Sequence, residues 1–376
     1  MKNSLLIFIF SAVLLSCTGR QPARQGGGTA IPFKYARLIQ VEQCDGYRLV
    51  SVANPWKPGK TLHRYLLVPY DAVIQHQTEQ GATIVRVPLR KSVIFTSVHA
   101  SLACELQAQS QIAGVADLKY MKVPFVQEGV QSGRLVDCGD GMAPLVEKII
   151  DAEADGMLLS PFENSGGYGR LEDIDIPIIE CAEYMEESPL ARAEWMRFYG
   201  MLYGQEERAD SLFEVVETNY KRLKKLASET SERPTVVVDK MAGPVWYVPG
   251  GRSTIGQMLA DAHTLYPWAD DGHSGSLQLS YETVLERAGD CQYWLLRYDS
   301  QDTLSLSQLL SEKDGYRMMR PVAQGQVYAC NVSTSMFYEE TPFRPDLLLQ
   351  DFMKILHPDI PNLPEPRYYH RVWSEE

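Results

Sequence analysis

The chain has 376 residues, 45% hydrophobic and 22% charged, a globular composition long enough for two domains. Its formal net charge of -12 comes with no evident basic face for phosphate binding, which excludes a nucleic-acid partner. The generous supply of Tyr and Trp provides flat side chains for a core or for the wall of a ligand cleft.

At the start, Lys2 precedes an apolar run over residues 5–15, too short to span a membrane and shaped like a secretory h-region. The run closes on Leu14-Leu15-Ser16-Cys17, which resembles a bacterial lipobox with Cys17 as the lipidated mature N-terminus. A signal peptide over 1–16 and a flexible tether over 17–32, carrying Gly26, Gly27 and Gly28, are therefore expected. The protein is then exported and held at the membrane by its lipid, with no other span. The remaining cysteines, Cys44, Cys104, Cys138, Cys181, Cys291 and Cys330, are widely spaced with no Cys-x-x-Cys pair, and their pairing is not legible.

Residues 33–90 read as a small β appendage, with strands near 36–42, 47–52, 64–68 and 83–87 punctuated by Asp45-Gly46 and Pro58-Gly59. From residue 91 the pattern becomes α/β. Strands are expected at 93–97, 112–115, 157–159 and 176–179, with helices at 100–109 and from Pro144 to Ala152. Ser188 is a natural N-cap for a helix running to Tyr203 and stopped by Gly204.

A long helix follows over 205–228. Ala209, Leu212, Phe213, Val216, Tyr220, Leu223 and Ala227 recur at three- and four-residue spacing and form one apolar stripe. Glu206 and Glu207 near its start and Lys221, Arg222, Lys224 and Lys225 near its end complement the helix dipole. Strands and helices then alternate again to residue 358. The expected fold is α/β, with two Rossmann-like lobes (91–187 and 231–358) joined by a helical segment (188–230) that contains one long backbone helix. A C-terminal tail over 359–376 completes the chain.

The lobes share a pattern. Glu147 starts a helix that leads through Asp155 to the strand Met157-Leu158-Leu159, and Glu282 starts one that leads through Asp290 to Tyr293-Trp294-Leu295. With the strands at 93–97 and 112–117, the long helix, Ser280-Tyr281-Glu282 and Gln324-Gly325-Gln326-Val327-Tyr328, the chain resembles the helical-backbone periplasmic binding proteins of iron-siderophore, haem and cobalamin ABC importers over about 91–358. Residues 160–166 (Ser-Pro-Phe-Glu-Asn-Ser-Gly) and Arg344-Pro345-Asp346-Leu347 resemble a lipoprotein branch of that family. The resemblance implies a ligand held between the lobes and one carboxylate per lobe, Glu147 and Glu282, docking on the permease.

Open α/β sheets present binding groups on loops at the ends of their strands. In the N-lobe these loops carry His99, and Glu163, Asn164 and Tyr168 among glycines that permit close approach. In the C-lobe, Trp246 and Tyr247 precede Gly250-Gly251-Arg252-Ser253, a turn into a helix that is suited to an anionic group. Tyr266, Trp268 and Tyr338 are candidates for an aromatic wall. His263 and His273 match no metal-ligand spacing, so neither direct metal coordination nor a cofactor is expected. No nucleophile elbow or triad pattern is present, which disfavours an enzyme.

The implied function is a monomeric, lipid-anchored substrate-binding protein that delivers a ferric siderophore, haem or cobalamin to an ABC permease and its ATPase. A binding module for another small ligand, and an exported reductase or chelatase acting on a chelate, are the alternatives.

Overall fold

The structure, a computed structural model, describes residues 28–73, 81–163 and 167–373. Cys17 and Asn164 lie outside the described residues.

The appendage is a five-stranded sheet in sequence order: Thr29–Ile31, Ile39–Gln43, Arg48–Ala53, Thr61–Pro69 and Thr83–Val87. Neighbours pair antiparallel except the last two, which run parallel. Gly46 takes a φ of 80° in the first predicted turn, a conformation that costs glycine little. The expected tether is shorter than 17–32, because Thr29–Ile31 pairs with Ile39–Gln43. Three exposed-to-half-buried residues at a sheet edge are too few for a periodic signal.

The appendage is fastened to the helical segment by carboxylates. Buried Glu194 accepts hydrogen bonds from the amides of Lys34, Tyr35 and Ala36 at 2.7, 2.7 and 2.8 Å. Glu186 accepts from the amides of Arg37 and Leu38 and from the Trp195 indole at 2.8 Å. Five successive amides thus end on two side chains, which satisfies donors that would otherwise be costly to bury. Burial pushes the Glu186 carboxyl up, against the pull of those hydrogen bonds.

The N-lobe sheet is wholly parallel, in the order Ile178–Glu180, Gly156–Leu159, Ser92–Ile94, Ile112–Val115, Val136–Asp137. Chain order reverses between Ser92–Ile94 and Gly156–Leu159, leaving a crevice at their carboxyl ends. The helix expected from Pro144 starts two residues later, as Val146–Asp151, because Pro144 still pairs with Gly139 in a short hairpin. The C-lobe sheet runs Val236–Val238, Tyr293–Tyr298, Val327–Asn331, Tyr369–Arg371, parallel but for the last strand. That last strand belongs to the expected tail, which is therefore part of the lobe. A second, antiparallel sheet of Met241–Ala242, Val245–Pro249 and Ser276–Leu279 covers it.

Between the lobes, the expected helix over 188–203 is two, Pro189–Glu194 and Met196–Tyr203, separated at Trp195 and stopped by Gly204 at φ 66°. The backbone helix, Glu206–Ser228, is about 34 Å long at 1.5 Å per residue. It buries Ala209, Phe213, Val216, Tyr220, Leu223 and Ala227, with Leu212 half-buried at the margin of the stripe. One continuous apolar core runs from the appendage through this helix into the C-lobe.

Candidate functional site

Each lobe carries a hollow of about 640 Å3 at the carboxyl ends of its parallel strands, a size suited to a small molecule. In the N-lobe it is formed by Phe95 and Thr96 after one strand, Asp117 after the next and Leu159 and Ser160 at the crevice, with Phe162, Tyr168 and Arg170 closing the side. Phe162 and Met142 are exposed apolar side chains at this hollow, although burial is the usual fate of such groups. In the C-lobe, Asp239 and Lys240 follow one strand and Arg297, Tyr298 and Asp299 end the next, while Tyr247 and Tyr338 supply the aromatic surface.

The two hollows flank one contact between the lobes. Thr96 caps the helix Ser97–Glu105, accepting the His99 amide at 3.3 Å, and that helix packs on Phe337–Glu340, which carries Tyr338. Lys122 of the N-lobe donates to the Val332 carbonyl of the C-lobe beside it. Burial pushes the Glu339 carboxyl up at this contact, and Lys122 and Ser97 oppose the shift.

Of the residues expected here, Tyr168, Tyr247 and Tyr338 line the hollows. Tyr247 and Tyr338 are 40% and 48% exposed, and the Arg297 guanidinium lies over the Tyr338 ring, 5.9 Å from its centre. The Tyr168 hydroxyl donates to Glu180 at 2.7 Å, which ties the glycine-rich loop to the end of an N-lobe strand. Glu163 is exposed on the same loop but does not line the hollow.

Five expectations are corrected by burial and partners. Trp246 is fully buried, its indole donating to the Val238 carbonyl at 3.0 Å and packing on Trp294 and Tyr316. Strand neighbours point to opposite faces, so with Tyr247 outward Trp246 is core. Trp268 and Tyr266 are also core, their rings tilted at 59° to each other with centres 5.6 Å apart. His99 has no solvent exposure and lies against Tyr199, with Nε2 3.6 Å from Glu183, whose carboxyl His99 and Arg192 hold low against its burial.

The Gly250-Gly251 turn is not an anion cradle. A Cβ on either glycine would meet backbone carbonyl oxygens of Ala269 or His273 at 2.3 Å, so the glycines admit a neighbouring loop and face electronegative atoms. Arg252 is paired with Glu187 at 2.7 Å, and the Ser253 hydroxyl caps the helix that follows.

A model of the periplasmic binding protein family matches residues 96–333, which include the backbone helix and most of the lining of both hollows, with Phe95 and Tyr338 just outside. The chain belongs to this family. As a periplasmic binding protein it is similar to an uncharacterized lipoprotein of Methanocaldococcus jannaschii, 24% identical over 365 residues covering 91% of this chain and 85% of the relative. Among solved structures it resembles a periplasmic heme binding protein from Pseudomonas aeruginosa, 14% identical with a TM-score of 0.58, over 76% of this chain and 99% of that one. A periplasmic vitamin B12 binding protein of Vibrio cholerae is likewise 14% identical, with a TM-score of 0.51, over 72% of this chain and 97% of that one. At such identities the likeness carries the fold.

In this binding protein the two carboxylates at matched positions are both exposed in first turns. Glu147 opens Val146–Asp151 and pairs with Arg170; Glu282 opens Tyr281–Ala288, where Ser280 caps the helix. Each carboxyl lies below the usual range, held first by its own helix-terminal amide and then by Arg170 or Ser280 respectively.

The charged residues of the C-lobe hollow were not anticipated. Asp239, at a φ of 60°, binds Arg297 through two bonds of 2.8 and 2.5 Å. An Arg inside the apolar strand Tyr-Trp-Leu-Leu-Arg-Tyr was the available signal, since a charge in a core strand requires a partner. Among the described residues, no group of three or more His, Cys, Asp or Glu surrounds a common metal position.

Proposed function

We propose that this periplasmic binding protein of an ABC importer is lipid-anchored through Cys17 and captures a metal-chelate ligand between its lobes. The observation that carries the reading is the pairing of two hollows at strand carboxyl ends on either side of the Ser97–Glu105 and Phe337–Glu340 contact. A flat chelate spanning that contact meets Phe162 and Tyr168 from one lobe and Tyr247 and Tyr338 from the other. Aromatic side chains supply large contact area at low entropic cost, which suits a rigid macrocycle or siderophore.

Glu147 and Glu282 dock the loaded protein on the permease, one carboxylate per lobe. Their support is their exposure and their matched placement in first turns that lead to core strands. The test is a binding screen of the purified protein against cobalamin, haem and ferric siderophores, read by native mass spectrometry. Retention of an intact chelate supports capture. Release of a chemically altered chelate would turn the assignment toward an enzyme.

A further inference from the structure

The charges of the two hollows are unevenly matched. In the C-lobe, Arg297 is bound by both oxygens of Asp239, and Lys240 is paired with Glu312. In the N-lobe, Arg170 is paired with Glu147 at 2.9 Å. Every cation that lines either hollow among the described residues is therefore already matched to a carboxylate.

Three carboxylates of the linings remain without a cationic partner in the same hollow. Asp117 accepts the Gly141 amide at 3.0 Å, Asp299 accepts the Ser333 hydroxyl, and Asp302 stands at the edge of the C-lobe hollow. Nearby Lys119, outside the lining, lies 3.6 Å from Asp140 and also feels the charge of Asp117, so the surplus is greatest at Asp299 and Asp302, and Lys122 is committed to the Val332 carbonyl between the lobes. The exposed Tyr247 ring adds to this imbalance, because an aromatic face attracts cations and repels anions, whereas Tyr338 already has Arg297 over its ring at 5.9 Å.

We infer that the cleft selects a chelate without an anionic periphery, neutral or net positive, and discriminates against catecholate complexes and against haem with its propionates. The inference rests on the chelate-binding reading above. An anionic ligand would have to draw a cation out of an existing pair, which costs most at the largely buried Arg297–Asp239 pair and least at the exposed Arg170–Glu147 pair, and in each case it leaves a carboxylate unpaired beside it. A cationic complex meets surplus carboxylates and displaces nothing.

The deciding measurement is ligand-quenched tryptophan fluorescence with three probes: ferrioxamine B, which is singly positive, ferric enterobactin, which is triply negative, and haemin. The expected result is binding of ferrioxamine B at least about tenfold tighter than either anionic probe, a preference that shrinks as salt is raised through the screening range. Asp299→Asn with Asp302→Asn should narrow the preference to about threefold or less. Tighter binding of an anionic probe by the parent protein would overturn the charge inference while leaving chelate capture in place. Failure of these probes and of cobalamin to bind would overturn both. Should the double variant fold poorly by circular dichroism, the parent comparison and its salt dependence decide the matter alone.

Discussion

Arg170 reaches Glu147 with Nη2 2.9 Å from Oε1, so the carboxylate that opens the Val146–Asp151 helix already holds a guanidinium in the free protein. Both side chains are exposed, and in water such a pair exchanges readily for an equivalent one on a partner. Glu282, its counterpart in the other lobe, forms no ion pair with an arginine among the described residues and leans on its own amide and then on Ser280, with Lys313 a weaker influence. Under the proposed docking, the two sites would meet a permease in different states, one with its arginine in place and one without.

Replacing both carboxylates, Glu147→Ala with Glu282→Ala, frees Arg170 in the N-lobe hollow, so affinity is expected to stay unchanged for a neutral chelate such as cobalamin, while uptake in vesicles carrying the matching permease is slowed or abolished. Rim charges act mainly on association and its salt dependence. Normal transport by the folded double variant would remove the docking role, and lost affinity would move these residues to the cleft.

Tyr247 and Trp246 are adjacent in one strand and should respond in opposite ways. Tyr247→Ala or Tyr338→Ala is expected to weaken ligand binding by about 1–3 kcal/mol with little change in thermal stability. Trp246→Ala should cost about 3–5 kcal/mol of stability, because it empties a fully buried site. Urea titrations beside ligand titrations on the three variants separate the two outcomes. A stability loss at Tyr247 as large as that at Trp246 would mean that both rings are core.

Asp351 provides a pH-dependent element away from the cleft. Burial lifts its carboxyl to about 6, against the amides of Arg367, Tyr368 and Tyr369, which donate to it. An unfolded Asp titrates near about 3.9. The fold therefore favours the protonated form, and this contribution is complete below about pH 4 and lost as pH rises through about 6. Asp351→Asn should flatten that part of the stability curve by something on the order of 2 kcal/mol, while losing hydrogen bonds at every pH. Denaturant midpoints between about pH 4 and 7 provide the check. Parallel curves for parent and variant would rule out titration of Asp351 in this window.

Cys17→Ser is expected to leave the protein unprocessed or to release it from membranes, since several acyl chains hold a lipoprotein where one would bind only marginally. Fractionation after expression reads this directly. A cleaved variant that still sedimented with membranes would contradict lipid anchoring.

Much of the architecture was legible because its signals are local. The apolar stripe from Ala209 to Ala227, the cap at Ser188 and the stop at Gly204 each depend on residues within a few turns, and each is found where the spacing places it. Tyr247 and Tyr338 were legible as aromatic candidates on loops and strands near the carboxyl ends. The short edge strands Thr29–Ile31 and Tyr369–Arg371 were not, because three residues carry too little periodicity and acquire strand geometry only by pairing with a neighbour.

The sequence by itself determined two α/β lobes on one long helix, since periodicity, caps and breakers are properties of contiguous residues. Only the tertiary structure decided which residues face the cleft. Alternation along Val245–Pro249 requires Trp246 and Tyr247 to point apart, but the partner of each face comes from Val238, Trp294 and Tyr316, distant in the chain. The glycines before Arg252 resemble an anion cradle until the loop carrying Ala269 and His273 fills them. The charge balance of the cleft likewise depends on Asp239 and Arg297, 58 residues apart and joined only when their strands lie side by side. Side-chain direction and ion pairing are set by whatever packs against a residue, and those neighbours come from remote parts of the chain.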